Sequence, residues 1–304
     1  MNRGNMPINI LKWVGNTPIV RIKKIANLKG VELCAKAEFL NPSGSIKDRI
    51  VKYMIESAER KGFLTPGATI VEPTSGNTGI AFAMISAIKG YKFVAVLPEF
   101  ASKERIKIMR HYGAKVVLTP KEAGIYGAVQ KAKRLALKGM VLLNQFENVD
   151  NVNAHHQTGY EILREVKRVD AFVAGVGTGG TLMGVAEVLK KKAPGAQIVA
   201  VEPYNSAVLS GGAPGAHRIE GIGEGFIPKL VEDRMNLIDK IIKVKDSDAI
   251  RMAARLSKEE GLFVGISSGA NVVASLKIAR GMKKGAVVTV LPDSADRYMD
   301  TYRL

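Results

Sequence analysis

The sequence predicts an α/β protein of two domains, in which mostly parallel, twisted sheets are flanked by helices. With 304 residues, the chain is long enough for two modest domains. Short apolar runs rich in β-branched residues alternate along it with segments of helical periodicity, and stretches rich in Gly, Ser and Thr stand between them. Strands that alternate with helices form parallel sheets covered on both faces, so this order indicates the fold class.

The expected elements follow one another without an internal repeat or a low-complexity segment. The expected strands are 19–22, 31–38, 69–72, 93–97, 115–118, 140–143, 171–174, 197–202, 240–244 and 286–291. The expected helices are 46–61, 78–89, 102–112, 124–138, 153–168, 180–192, 246–260 and 269–280. In such a fold, ligands bind outside the carboxyl ends of the strands, where loops lead into helices.

The composition favours small-molecule partners over nucleic acid. A formal charge of +17 would suit phosphate neutralisation. Apart from 190–192 and 283–284, however, the basic residues are scattered among acidic ones, and aromatic residues that stack on bases are few. We therefore expect no nucleic-acid partner, and a charge that attracts anionic small molecules instead.

Nothing in the sequence indicates a membrane segment, export or a metal. The longest uncharged apolar run, 79–88, is too short to span a bilayer, and the N-terminal residues lack the apolar stretch of a signal peptide. Cys34, the single cysteine, lies in an apolar stretch and has no partner within the chain. The histidines lack the spacing of a zinc site. We expect a soluble, cytoplasmic protein without a metal.

Lys47 is the first candidate for chemistry. Pro42 and Gly44 end the strand before it, and apolar residues at three- and four-residue steps predict a helix that starts beside it. An ammonium near the donors of a helix N-terminus, desolvated by apolar neighbours, loses its proton readily and can then attack a carbonyl. Taken alone, this stretch is more typical of a solvated first-turn lysine, which is the commoner case.

Two further stretches have the composition of anion sites. Residues 73–79 follow a strand and expose backbone donors at a helix start, which suits a carboxylate or phosphate, although ordinary helix capping explains the same residues. Residues 175–181 contain glycines that let the backbone approach a phosphate, at a spacing that departs from the dinucleotide pattern. They indicate a phosphate cradle without a nucleotide. A third stretch, 265–270, is uninformative in isolation.

Taken together, ordered stretches along the chain resemble the pyridoxal-phosphate enzymes of the cysteine synthase and cystathionine β-synthase family, the fold type II group, whose fold is tryptophan synthase β-like. The similarity covers essentially the whole chain. The stretches that carry it are 42–49, 74–79, 144–146, 177–181, 221–228 and 265–270.

The resemblance implies a role for each candidate residue. Lys47 would hold the aldehyde of pyridoxal 5'-phosphate as an imine, and Asn77 would bind the ring hydroxyl. Ser267 would meet the pyridine nitrogen, with Ser268 as the alternative. The phosphate would be held by Gly177, Thr178, Gly179, Gly180 and Thr181. The substrate α-carboxylate would be bound by Thr74, Ser75, Gly76, Thr78 and Gln145.

The implied reaction is β-replacement, which makes L-cysteine from sulfide and an activated serine, either O-acetylserine or O-phosphoserine. A serine hydroxyl at the ring nitrogen makes the cofactor a weak electron sink and so limits transamination. Lys47 would take the α-proton and later return it. Glu224 stands where many relatives carry alanine, which leaves the donor open. The alternatives are a cystathionine β-synthase that uses homocysteine and a catalytically silent binding protein.

The resemblance also implies a domain division and an assembly. Residues 37–147 would form a smaller, mobile domain that contains residues 74–79, the carboxylate loop. Residues 1–36 and 148–304 would form the larger domain, which binds the cofactor. Carboxylate binding would draw the two together and exclude water. A homodimer is expected, and serine acetyltransferase is a candidate partner. His217 and Arg218 would attract an anionic substrate or merely solvate a loop.

Overall fold

The computed structural model describes residues 9–74 and 76–299, in which helices and strands alternate. The strands are β1 Ile19–Arg21, β2 Val31–Lys36, β3 Thr69–Pro73, β4 Lys92–Pro98, β5 Lys115–Thr119, β6 Val141–Leu142, β7 Ala171–Gly175, β8 Gln197–Pro203, β9 Lys240–Val244 and β10 Gly285–Val290. The helices are α1 Lys47–Arg60, α2 Asn77–Lys89, α3 Lys103–His111, α4 Gly124–Ala136, α5 Asp150–Glu165, α6 Gly180–Lys192, α7 Lys229–Glu232, α8 Asp246–Glu260 and α9 Ile266–Ala279.

The strands form two sheets. The larger has the order β1-β2-β10-β7-β8-β9 and the smaller β5-β4-β3-β6. Every pairing is parallel except β1 with β2 at the edge of the larger sheet. There the chain reverses through Asn27 and Gly30, both of which have positive φ. The predicted α/β class with mostly parallel sheets is thus confirmed.

Both faces of the larger sheet are buried, as a parallel sheet requires. Side chains alternate between the faces along a strand. Val173 of β7 packs into the cluster formed with α8 and α9, whereas its neighbours Phe172 and Ala174 pack into the cluster formed with α5 and α6. In the smaller sheet, Ile70 faces α1 and α2, and Val71 faces α4. Two covered sheets therefore give the chain separate cores.

The sequence predicted each of these strands and all but one of the helices. The exception, α7, is a single turn, too short for a periodic pattern. The expected bounds were wrong by three residues at both ends of α5, which ends at Glu165 rather than at 168, and at the start of α9. Helix α5 begins at Asp150 rather than at 153, and α9 begins at Ile266 rather than at 269. Because Gly265 precedes α9 in an extended conformation, Ser267 and Ser268 lie in the first helical turn and not in a loop.

The loops that follow β3, β6 and β7 lead into α2, α5 and α6, and all contribute to one cavity. They stand at the carboxyl ends of their strands, where ligands of open α/β sheets bind. Among the helices that the structure describes, none is long and apolar enough to cross a membrane. Cys34 is buried and free, as expected.

Candidate active site

Lys47 is the first residue of α1, so the prediction that it begins a helix is confirmed. The backbone before it is fixed from outside the helix, because the N–H of Ile46 donates to the carbonyl oxygen of Pro292 over 2.8 Å. Burial lowers the pKa of the Lys47 amine, and Glu224 and Asp293 oppose that shift only in part. The amine therefore loses its proton more readily than an exposed lysine, as a nucleophile or proton acceptor must.

Lys47 faces two cavities that share part of their lining. The larger has a volume of about 820 Å³, and its walls include Thr74 and Gln145 from the smaller sheet's loops and His217 from a loop of the larger sheet. The second, of about 40 Å³, lies against Ser267 and the glycine loop after β7. The larger volume is within the range of cofactor and substrate sites.

The loop after β3 presents backbone donors rather than free hydroxyls. Thr74 Oγ1 accepts from the N–H of Gly79 over 3.0 Å, and Thr78 Oγ1 donates to Gln145 Oε1 over 2.8 Å. Thr74, Gly76, Thr78 and Gln145 line the larger cavity. The first N–H groups of α2 have no partner within the helix, and with the helix dipole they suit a carboxylate. Ser75, also predicted here, lies outside the described residues.

Glu72 holds Gln145 in place from beneath the cavity. Its carboxylate accepts from the N–H of Gln145 over 2.8 Å and from that of Asn144 over 3.0 Å, and Asn144 has a φ of 54°. Burial raises the pKa of Glu72 to about 7, although the backbone donors oppose the shift. A fully buried acid thus shapes the loop that carries Gln145.

The glycine loop after β7 cannot take larger side chains. A Cβ on Gly177 would lie 2.3 Å from the carbonyl oxygen of Gly221, and one on Gly180 would lie 1.8 Å from Asn151 Oδ1. Gly179 has a φ of +88° and caps α6. Because the backbone is bare, its N–H groups approach the space before α6 directly, which is the geometry of a phosphate cradle.

The threonines of this loop are held by buried side chains. Thr178 Oγ1 accepts from Asn151 Nδ2 over 2.9 Å, and Thr181 Oγ1 lies 3.1 Å from Nε2 of the buried His155. His155 Nδ1 lies 3.1 Å from Thr158 Oγ1. Burial lowers the pKa of His155 well below its usual value, so the ring is neutral. If Thr158 donates to Nδ1, then Nε2–H donates to Thr181, whose own hydroxyl proton is left for an anion.

Asn77 is held by two side chains near the C-terminal end of the chain, those of Asp293 and Arg297. Its Oδ1 accepts from Arg297 Nη1, and its Nδ2 donates to Asp293 Oδ2 over 2.6 Å. Tyr298 donates its hydroxyl proton to the same Asp293 oxygen over 2.5 Å. Asn77 lines both cavities, and its NH₂ group has a second proton to donate.

Of the two serines that begin α9, Ser267 is the one that reaches a cavity. It lines the smaller cavity together with Lys47, Thr178 and Asp293. Ser268 is fully buried, and its hydroxyl forms no hydrogen bond with any residue in the described part of the chain. The placement favours Ser267 over its neighbour for contact with a ligand.

These features together fit pyridoxal phosphate. They offer an amine that gives up its proton, a bare backbone cradle for a phosphate, an oriented amide and a small hydroxyl that accepts or donates at a ring nitrogen. The predicted residues around the two cavities are Lys47, Thr74, Gly76, Asn77, Thr78, Gln145, Gly177, Thr178, Gly179, Thr181 and Ser267. Gly180 lies just behind them, at the first turn of α6.

Other cavity residues were not found from the sequence. Arg105 and Glu220 form an ion pair at the wall of the larger cavity, and Arg105 Cζ lies 5.2 Å from the centroid of the Tyr298 ring. Arg105 lies in α3, and Glu220 directly precedes the stretch 221–228. The two residues are far apart in the sequence, and neither belongs to a motif that the sequence analysis identified. His217 lines the larger cavity, but Arg218 beside it is exposed and does not.

The chain is similar to known proteins over nearly its whole length. Residues 10–293 match the family model described as pyridoxal-phosphate dependent enzyme. The cysteine synthase of Staphylococcus aureus is 49% identical over 298 residues, which are 96% of each chain. The solved cysteine synthase of Entamoeba histolytica is 39% identical with a TM-score of 0.94, and the match covers 100% of this chain and 93% of that one. The O-acetylserine dependent cystathionine β-synthase of Helicobacter pylori is 41% identical with a TM-score of 0.90, and the match covers 97% and 98%.

Proposed function

This chain belongs to the family of pyridoxal-phosphate-dependent enzymes, and we propose that its reaction is the synthesis of L-cysteine from an activated serine and sulfide. The relative from Staphylococcus aureus, at 49% identity, carries the name cysteine synthase. The observation on which the proposal depends is the place of Lys47, which faces both the cavity behind the carboxylate loop and the one at the glycine loop. One amine thus reaches a cofactor and a substrate.

The residues of the chain divide the binding of the cofactor among them. Lys47 would form the covalent attachment, the glycine loop from Gly177 to Thr181 would bind the phosphate, and Asn77 and Ser267 would contact the ring. When bound, pyridoxal phosphate withdraws electrons from the α-carbon of an attached amino acid and so permits loss of its β-substituent. Because Ser267 carries no charge, it does not hold the ring nitrogen protonated as a carboxylate would.

With an amino acid bound beside it, the free amine of Lys47 would accept the α-proton and later return it. Its lowered pKa makes the unprotonated amine easier to form than that of an exposed lysine, as this exchange requires. The first turn of α2, with Thr74, Thr78 and Gln145, binds the α-carboxylate and fixes the substrate beside the amine. We further propose that residues 37–147 move toward the remainder of the chain when the carboxylate binds, and thereby exclude water.

The decisive experiment compares nucleophiles and donors in steady-state assays. Purified protein loaded with pyridoxal phosphate is given O-acetylserine, O-phosphoserine or serine, each with sulfide or homocysteine. We expect cysteine from O-acetylserine and sulfide at the highest kcat/KM. If the protein were instead a cystathionine β-synthase, kcat/KM for homocysteine would exceed that for sulfide.

Substitution of Lys47 tests the assigned roles directly. Lys47→Ala should lower kcat by at least about 1,000-fold, since it removes both the attachment and the proton acceptor. The variant should keep its fold, because this side chain makes no hydrogen bond or ion pair within 9–74 and 76–299. Circular dichroism checks the fold, and loss of the cofactor's absorption band checks the attachment. Undiminished turnover would contradict the assignment.

The assembly and the partners are proposed from the same family. We propose that the chain is a homodimer in the cytoplasm, and that serine acetyltransferase is a candidate partner because it would supply the donor. Sedimentation equilibrium measures the first. Co-sedimentation with purified serine acetyltransferase, with and without O-acetylserine, measures the second.

A further inference from the structure

Glu224 is the acidic residue of the larger cavity to which neither the sequence nor the proposed mechanism gives a role. It lies on the loop between β8 and α7 and lines the larger cavity with Lys47. No residue in 9–74 or 76–299 donates a hydrogen bond to its carboxylate or forms an ion pair with it. An acidic side chain without such a partner, in a cavity that also presents donors for a substrate carboxylate, requires an explanation.

The loop is built to present this side chain. Gly223 and Gly225 flank it with φ values of +71° and +84°, which few other residues adopt. A Cβ on Gly223 would lie 2.6 Å from Pro203, and the carbonyl oxygen of Gly223 lies 2.9 Å from His217 Nε2, which donates to it. The backbone on both sides of Glu224 is therefore fixed.

The electrostatic surroundings keep the carboxylate ready to accept a proton. Burial raises the pKa of Glu224, and Lys47 and His217 oppose the shift only in part. The other titratable groups that line the same cavity are Arg105 and Glu220, which pair with each other, and Tyr298. Glu224 thus combines three properties of a general base: a place beside the reacting lysine, a free carboxylate and partial desolvation.

We propose that Glu224 is the base that deprotonates a neutral sulfur nucleophile of the alkyl thiol class in the second half of the reaction. This inference rests on the proposed function. As the sulfur forms its bond to the substrate β-carbon that has lost its leaving group, the S–H bond breaks and the proton passes to the Glu224 carboxylate. The electron pair released toward the α-carbon takes a proton from the Lys47 ammonium. Glu224 then returns its proton to solvent.

This role makes Glu224 a determinant of which nucleophile is used. A carboxylate repels HS⁻, an anion, but assists a thiol that is mostly protonated at neutral pH because its pKa is near 8.5. The loss of Glu224 should therefore affect the two nucleophiles differently. A residue that merely supported the loop or paired with Lys47 would affect both equally.

The test uses Glu224→Gln in the holoenzyme with O-acetylserine and either sodium sulfide or 2-mercaptoethanol. At pH 7 we expect kcat/KM for 2-mercaptoethanol to fall about 100-fold, and that for sulfide not to fall. The loss with the thiol should largely disappear at pH values above the pKa of the thiol, where the thiolate needs no base. Glu232→Gln, which removes an exposed carboxylate of α7, is the matched control.

Equal losses with both nucleophiles, or a loss with the thiol that persists at high pH, would overturn the proposal. Failure of the wild-type protein with sulfide would instead refute the proposed function itself. A second measurement is independent of turnover. A desolvated Glu224 makes the unfolding free energy of the wild type fall relative to Glu224→Gln as pH rises above 4.5 in the cofactor-free protein. If the difference in unfolding free energy between the two proteins did not change with pH, the Glu224 carboxylate would be solvated, and the proposal that it is the base would be wrong.

Discussion

At the scale of single residues, burial decides the protonation of the side chains around the cavity. It lowers the pKa of the Lys47 amine and that of the His155 ring, and it raises the pKa of the carboxyl groups of Glu72 and Glu224. In each case the charged form is disfavoured because water is removed from it. The site is thus biased toward uncharged groups.

Glu72 gives the clearest consequence of this bias for stability. Its pKa of about 7 in the folded protein lies above the unfolded value of 4.5. The folded state therefore holds this proton more tightly, and the resulting stability is fully present below pH 4.5 and is lost as pH rises through 7. Relative to Glu72→Gln, the wild-type free energy of unfolding should fall by about 3 kcal/mol between pH 4.5 and 8.

Urea unfolding of both proteins across this pH range measures the difference. Glu122→Gln, at an exposed position between β5 and α4, is the matched control and should show no such trend. If the wild type instead gained stability relative to Glu72→Gln with rising pH, the carboxylate would be stabilised by the N–H groups of Asn144 and Gln145 more than it is penalised by burial.

At the scale of elements, the helix that carries Lys47 is anchored by a buried ion network. Arg49 of α1 pairs with Glu38 over 2.7 Å and with Glu161 of α5 over 2.7 Å. Glu161 also pairs with Lys36, at the end of β2, over 2.7 Å. These side chains are nearly inaccessible to solvent, so each charge depends on its partners. The network ties the first turn of α1 to the larger sheet and its covering helix.

Arg49→Lys tests that anchor while keeping the charge. A lysine cannot make the paired contacts of the guanidinium to two carboxylates, so we expect a loss of about 3 kcal/mol in unfolding free energy. Because Lys47 lies two positions away in sequence, kcat should fall as well. Urea unfolding and steady-state assays provide the measurements. The control is Arg60→Lys, at the exposed far end of α1, which should change neither the unfolding free energy nor kcat. If Arg49→Lys left kcat unchanged, the network would not be what places Lys47.

The elements show how far sequence reasoning reaches. Strands and helices were predicted because their apolar spacing is local, and the position of Lys47 followed from Pro42 and Gly44 before it. The contacts of Arg49 could not be predicted in this way. Its partner Glu161 is 112 residues away, and nothing in the pattern of α5 distinguishes a buried glutamate from a solvated one. The helical turn at Ser267 was missed for a related reason, since Gly, Ser and Ala are also typical of loops.

The cavity shows the same limit. The glycine loop and Lys47 were recognisable because bare backbone and a helix-start lysine are features of short stretches. The orientation of Asn77 was not, because it depends on Asp293 and Arg297 near the end of the chain. Such contacts arise only when the two sheets come together. Sequence therefore predicted the groups at the site but not what holds them.

At the scale of the whole molecule, the loops of the two sheets meet across the larger cavity and are joined by charges. Arg105 of α3 belongs to the smaller sheet's side, and Glu220 to a loop of the larger sheet's side, and their ion pair spans the cavity wall. Arg297 adds a second link, since it donates to the carbonyl oxygen of Ser43 and to Asn77. These two links hold the loops on both sides of the cavity that Lys47 lines.

Removal of the Arg105–Glu220 pair should shift the molecule toward a more open cavity. The Glu220 side chain is 47% exposed, so solvent screens the pair and its loss should cost about 1 kcal/mol at most. That corresponds to a rise in the KM of O-acetylserine of up to about fivefold in Glu220→Gln, since the closed state must be re-formed by substrate binding. The wild-type KM should rise with salt, as the pair is screened, whereas that of Glu220→Gln should not. Because O-acetylserine carries no net charge, general attraction to a basic protein does not produce this difference. The control is Glu232→Gln, which removes an exposed carboxylate that does not line the cavity and should keep the wild-type dependence of KM on salt. If the KM of Glu220→Gln rose with salt as much as that of the wild type, the Arg105–Glu220 pair would not hold the cavity closed.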